Sequence, residues 1–262
     1  LAMIALGTAT TRWSPPVMLA FIDWNPSPRR WLAPVNGSDI LAAMTDRAAA
    51  FFDLDRTLLD MNSSTLWAMH ELRQRRISVK QFGRVMVWNA LYHLSLIDIE
   101  TAYKEALGHY RGRHKEDLEN ETRRWFARHV AHQIRPGAGR ALREHRDDGH
   151  QLVLLTSASA FAARAARDTW ELDDFLSNDF PTDESGRLDG SFIAPLCYGD
   201  GKVQRARAWA EEHDVDLRRS YFYTDSYSDA PMLRVVGKPR VVSPDPRLSR
   251  EARQRGWPIL QW

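Results

Sequence analysis

The chain has 262 residues, 44% of them apolar and 27% charged, the balance of a globular protein long enough for one large domain or a core with an inserted module. Its 36 Lys and Arg against 34 Asp and Glu leave a formal charge of +2, too small to argue for nucleic acid or an anionic membrane as partner. Cys197 is the only cysteine, which excludes an intrachain disulfide and fits a reducing, cytoplasmic setting, and no apolar run approaches the ~20 residues of a membrane-spanning helix.

Residues 1–43 differ in character from the rest of the chain. Pro15-Pro16, Pro26, Pro28, Pro34 and Asn36-Gly37 punctuate them, and the one apolar cluster, at 17–22, is too short for a signal-peptide core. The expectation is a poorly ordered segment or one lying loosely on the surface. Met44, just before the first strong strand pattern, suggests a translation start there.

Ala48-Ala49-Ala50-Phe51-Phe52 then runs straight into Asp53-Leu54-Asp55-Arg56-Thr57. A short continuous apolar run reads as a strand buried on both faces of a parallel sheet, and such sheets hold ligands beyond the carboxyl ends of their strands. Carboxylates at i and i+2 of an extended segment face the same way, so Asp53 and Asp55 would share a crevice. Two adjacent anions repel unless a cation lies between them, and oxygen ligands suit a hard ion such as Mg²⁺. Taken alone, the pair could equally cap the next helix.

Helical periodicity occupies 63–132. Ser63-Ser64 opens a helix carrying Leu66, Trp67, Met69 and Leu72; Ser78 opens a second, unusually apolar and aromatic to residue 96; Asp98 opens a third; a fourth runs from Lys115 through Trp125 and Val130. No strand pattern interrupts them. Their Trp and Met residues read as core packing, and their histidines have no zinc-type spacing.

Pro136-Gly137 begins another helix, which Gly149 stops. Residues 151–156 form a second buried strand ending in Thr156-Ser157-Ala158-Ser159, with a helix from about Ala160, so a hydroxyl and a helix start lie together as a candidate anion site. A strand at 175–179 precedes a turn-rich hairpin pattern at 181–193. Lys202, in the first turn of the next helix, opposes the helix dipole, a placement that makes sense if its ammonium serves an anion. Residues 219–225 form a strand ending at Asp225; Asp229, four residues on, stands where it could hold Lys202 by a charge-assisted hydrogen bond. A strand at 239–242 and a helix ending at Gly256 close the pattern.

Four clusters therefore stand in order: Asp53-Leu54-Asp55-Arg56-Thr57, Thr156-Ser157, Lys202, and Asp225-Ser226-Tyr227-Ser228-Asp229. Their order and context resemble the four motifs of the haloacid dehalogenase superfamily, and the helical insert after the first resembles the cap of its phosphoserine-phosphatase-like branch. The resemblance implies an α/β fold, with a doubly wound, Rossmann-like parallel-sheet core at 44–62 and 133–262 and a helical cap at 63–132. It further implies that Asp53 is the nucleophile, forming an aspartyl-phosphate, and that Asp55 is the general acid and then base. Asp53, the Asp55 carbonyl and Asp225 would hold Mg²⁺; Thr156, Ser157 and Lys202 would bind the phosphoryl group, and Asp229 would orient Lys202. Arg56 stands where many members carry a small residue, and Asp60-Met61-Asn62-Ser63 does not match the acidic residue with which phosphoserine phosphatases grip a substrate amine.

The expected activity is Mg²⁺-dependent hydrolysis of a small-molecule phosphomonoester, such as histidinol phosphate or phosphoserine, without nucleic acid or stable membrane insertion. The alternatives are a phospholipid-derived monoester, prompted by the apolar stretch at 78–96, and a non-catalytic phosphate-ligand binder.

Overall fold

In a computed structural model, which describes residues 47–93 and 99–262, six strands form one parallel sheet in the order β3-β2-β1-β4-β5-β6. They are β1 (Ala49–Phe52), β2 (Gln151–Ser159), β3 (Asp174–Asn178), β4 (Tyr221–Thr224), β5 (Lys238–Val242) and β6 (Ile259–Leu260). The apolar runs become central strands because both sheet faces are covered. Ala50, Phe52, Leu152 and Leu154 point to one face, against α5 (Pro136–Asp147) and α6 (Ala160–Trp170). Ala49, Phe51, Val153 and Leu155 point to the other, against α7 (Asp200–Glu212), α8 (Ala230–Leu233) and α9 (Pro246–Arg255). This is the doubly wound α/β architecture expected.

The connectivity leaves β1 toward β2 on one side and pairs it with β4 on the other. The carboxyl end of β1 is therefore the switch point where an open sheet of this kind leaves a crevice.

Between β1 and β2 the chain forms α1 (Ser63–Arg73), α2 (Val79–His93), α3 (Ile99–Gly108) and α4 (Lys115–His129). Leu107 of α3 and Leu118 of α4 share a small buried cluster with Phe161 of α6 and with Phe180 and Leu188, which seats these helices on the sheet domain. The cap of α1 is Asn62, not Ser63: Asn62 Oδ1 accepts from Thr65 N at 3.0 Å, leaving Ser63 N to another acceptor. Ser78 does cap α2, its Oγ accepting from Gln81 N at 3.2 Å. The expectations for residues 1–43, the start at Met44, Asp98 and the end of the apolar stretch at 96 lie outside the described residues.

Two local expectations differ. The hairpin at 181–193 is a turn closed by one antiparallel bridge, Thr182 to Leu188, because Asp183 Oδ1 collects Ser185 N and Arg187 N and bends the chain before strands can extend. The edge strand β6 was not expected; two residues are too few for a periodic signal. Among the described residues, no helix is long and apolar enough to cross a membrane.

Candidate active site

Asp53 is the first residue past β1, and its N–H still donates to Tyr223 O at 2.9 Å, so the sheet fixes its backbone. The chain then leaves the strand in a wide turn over Leu54–Leu58, in which Arg56 takes φ +59° and Leu58 and Leu59 donate back to the carbonyls of Asp53 and Leu54. Asp53 and Asp55 themselves keep extended backbone angles, although the segment is a turn and no longer a strand. Asp53 points into the protein, whereas Asp55 Oδ1 accepts from Ser63 N at 2.7 Å and is anchored on the first turn of α1. Asp55 thus joins the sheet domain to the helical insert.

Lys202 is 1% exposed, and its ammonium donates to Asp53 Oδ1 at 2.8 Å and to Asp229 Oδ2 at 2.7 Å. Two carboxylates account for a Lys that the helix dipole alone would disfavour in the first turn of α7. Gly201 permits the placement: a Cβ there would lie 1.9 Å from Leu196 O, so only glycine lets α7 start so close to the preceding loop. Asp229 Oδ2 also accepts from Thr224 Oγ1 at 2.7 Å, while its Oδ1 is buried without a hydrogen-bond partner among the described residues.

Asp225 follows β4 as Asp53 follows β1, and these are neighbouring parallel strands, so both carboxylates arrive at the same edge. Asp225 is 6% exposed; Thr57 Oγ1 donates to its Oδ1 at 3.5 Å. Burial, then the negative charges of Asp53 and Asp229, push its carboxyl up to about 8, against the opposing charge of Arg56. Asp53 is likewise pushed up to about 7, by burial first and then by Asp229 and Asp55, with Lys202 opposing. Burial also raises Asp55, against its hydrogen bond from Ser63.

Mg²⁺ fits this arrangement. Beyond burial, like-charge repulsion from Asp53 holds the Asp225 carboxyl up, which a cation between them would relieve, and the donors are all oxygen, the set a hard divalent cation takes.

Thr156 and Ser157 lie at the carboxyl end of β2, one strand from Asp53; the register pairs Phe52 with Leu154 and so brings Thr156 just beyond the level of Asp53. Thr156 Oγ1 accepts from Ala158 N at 3.1 Å, which folds the chain toward α6. Ser157 Oγ donates to Cys197 O at 2.9 Å. The Ser157 carbonyl accepts from Asn178 Nδ2 at 2.8 Å and from the hydroxyl of Tyr103, on α3, and Asn178 Oδ1 accepts from Cys197 N at 2.7 Å. Every predicted site residue therefore lies on this one sheet edge. Thr224, Asn178 and Tyr103 were missed: the Thr beside Asp225 was a usable signal, but nothing local in sequence links Tyr103 or Asn178 to Ser157.

The chain is 26% identical over 217 residues to a histidinol-phosphatase of Neisseria meningitidis, covering 81% of this chain and 98% of that one. It is 30% identical over 244 residues to phosphoserine phosphatase SerB1 of Mycobacterium tuberculosis, covering 89% and 77%. A solved structure from Bordetella pertussis Tohama I, described as a protein with unknown function, superposes with a TM-score of 0.74 at 26% identity, over 82% of this chain and 99% of that one. The sequence model of the haloacid dehalogenase-like hydrolases matches residues 50–234, a span that takes in all four clusters of the site, and the chain belongs to that family.

Proposed function

We propose that the protein is a cytoplasmic, Mg²⁺-dependent phosphatase that cleaves a phosphomonoester of a small metabolite, such as histidinol phosphate or phosphoserine, through an aspartyl-phosphate on Asp53. The observation that carries this reading is the Lys202 ammonium held between Asp53 and Asp229 at the switch point of the sheet. The family membership and the names of the relatives support the reaction class.

Asp53 and Asp225, with the backbone carbonyl of Asp55, would hold Mg²⁺, which when bound offsets the carboxylate charge that would otherwise repel a phosphate dianion. A carboxylate oxygen of Asp53 attacks phosphorus in line with the ester oxygen; the new O–P bond forms as the ester O–P bond breaks. Asp55, whose carboxyl burial raises, gives its proton to the departing alkoxide. Its carboxylate then takes a proton from water as that water attacks the phosphoryl group, releasing inorganic phosphate and restoring Asp53. Lys202 and Thr156, with the Ser157 N–H, bind the phosphoryl oxygens, and Asp229 orients Lys202.

Residues 63–132 act as a cap that closes over the substrate and excludes water during transfer. The contacts of Asp55 with the start of α1 and of Tyr103 with the Ser157 carbonyl support this role, since each joins a reacting segment to the insert.

A panel of metabolite phosphates assayed for released phosphate, with Mg²⁺ and with EDTA, tests the reading. Turnover of at least one ester, abolished by EDTA and restored by Mg²⁺, is expected. Phosphate binding without turnover of any ester would contradict it and favour a binding protein.

A further inference from the structure

A cavity of about 510 Å³ runs from Asp55 and Ser157, at the reacting end, to Trp67, Tyr110, Trp125 and Phe161. Its volume lies in the range that encloses ligands of drug size, well beyond what a phosphoserine needs. The far walls are aromatic: Trp67 and Trp125 meet edge to face at 5.0 Å between ring centres.

Several of the polar groups at that end bind one another. Trp67 Nε1 donates to Tyr110 Oη at 2.8 Å, and Tyr110 Oη reaches Glu71 Oε2 at 3.5 Å. Glu71 is the carboxylate of this far wall. It is 1% exposed, its Oε1 lies 2.7 Å from Arg76 Nη2, and His109 Nε2 stands 3.9 Å from its Oε2. Arg76 lies beside it as a counter-charge that it shares with Glu121, and Glu71 Oε1 is buried without a hydrogen-bond partner among the described residues. The cavity surface is mainly apolar, and its ring faces gain by removing other apolar surface from water.

We propose that the leaving alcohol carries a ring, or an apolar group of similar bulk, that lies against Trp67 and Trp125, and that a serine-sized alcohol fills the cavity poorly. The inference rests on the phosphatase reading and names the substrate class of the same site. Hydrolysis proceeds through the same aspartyl-phosphate on Asp53; the ring contributes binding, and no bond to it changes.

Steady-state kinetics on ethyl phosphate, phosphoserine and 2-phenylethyl phosphate, with Mg²⁺, test it. All three release a primary alkoxide, so differences in kcat/KM report mainly how the cavity receives the alcohol. The expected kcat/KM for 2-phenylethyl phosphate exceeds that for ethyl phosphate by about 50-fold, the scale of burying a phenyl ring, and exceeds that for phosphoserine as well. In Trp67→Leu the phenylethyl-to-ethyl ratio should fall below about 5, and a ratio does not depend on how much of the variant is folded. Equal rates on the two alkyl esters, a preference for phosphoserine, or an unchanged ratio in Trp67→Leu would overturn the inference while the phosphatase reading stands. Absence of turnover on all three esters would overturn that reading and the inference with it.

Discussion

Lys202 Nζ lies 2.7 Å from Asp229 Oδ2, and the same oxygen accepts from Thr224 Oγ1 at 2.7 Å, so Asp229 is the fixed post on which the ammonium is aimed at Asp53. Removing the post takes away one of the two carboxylates that the buried Lys202 ammonium binds. Asp229→Ala should therefore cost about 3–5 kcal/mol of stability, the scale for breaking a buried ion pair. Thr224→Val removes the hydroxyl that donates to Asp229 and accepts from Ser226 N, and should cost about 1–3 kcal/mol. Urea unfolding of both variants checks the ranking; equal stability of Asp229→Ala and the unmodified protein would contradict it.

Gly201 carries the start of α7 past the Leu196 carbonyl, where an added Cβ would stand 1.9 Å from oxygen. Gly201→Ala must shift the backbone that bears Lys202. The expected result is a loss of about 1–3 kcal/mol, with phosphate release reduced about 10-fold or more because the ammonium moves. Calorimetry and an aryl phosphate assay read the two effects separately.

The carboxyls of Asp53 and Asp225 sit at about 7 and about 8 in the metal-free protein, above the ordinary 3.8. Between those limits the native state holds protons that the unfolded chain has released, so their contribution to stability is fully present below about pH 4 and is lost as pH climbs through 7 and 8. With EDTA, the part of the melting temperature that depends on these groups should fall from pH 5 to pH 8.5. Adding Mg²⁺ should restore it most at the alkaline end, where both carboxylates are free to bind the ion. The Asp53→Asn/Asp225→Asn double variant should lose most of this fall; an equal fall in that variant would place its cause elsewhere.

Tyr103 brings a hydroxyl from α3 to the Ser157 carbonyl, and Asn178 Nδ2 donates to that Tyr103 oxygen at 2.9 Å. Tyr103→Phe keeps the ring but removes the tie between the insert and the strand end. A fall of about 10-fold in kcat/KM is expected, with stability changed by no more than about 1–2 kcal/mol. Unchanged kinetics would show that the tie does not serve the reaction.

Much of this organisation was legible in the sequence because it rests on local signals. Ala49 to Phe52 and Leu152 to Leu155 are apolar on both faces and read as interior strands, and strand direction alone fixes the carboxylate of Asp53 and the hydroxyls of Thr156 and Ser157 that follow them. Lys202 was legible through a conflict: a cation at a helix start needs a reason. What escaped depended on contacts distant in sequence or on a backbone that leaves regular geometry. Arg56 enters the left-handed region just before the chain returns Ser63 N to Asp55 Oδ1, and the cap of α1 falls to Asn62. Tyr103 and Asn178 reach Ser157 across 54 and 21 residues, a relation that no spacing rule encodes.

Nucleophilic attack by Asp53 is the claim on which the mechanism stands, and Asp53→Asn reads it most directly, since the amide keeps the shape and removes the attacking oxygen's charge. In the presence of Mg²⁺, kcat on an aryl phosphate should fall by more than about 10³-fold with the far-ultraviolet circular dichroism spectrum unchanged. Hydrolysis by Asp53→Asn at a rate near that of the unmodified protein would contradict the account.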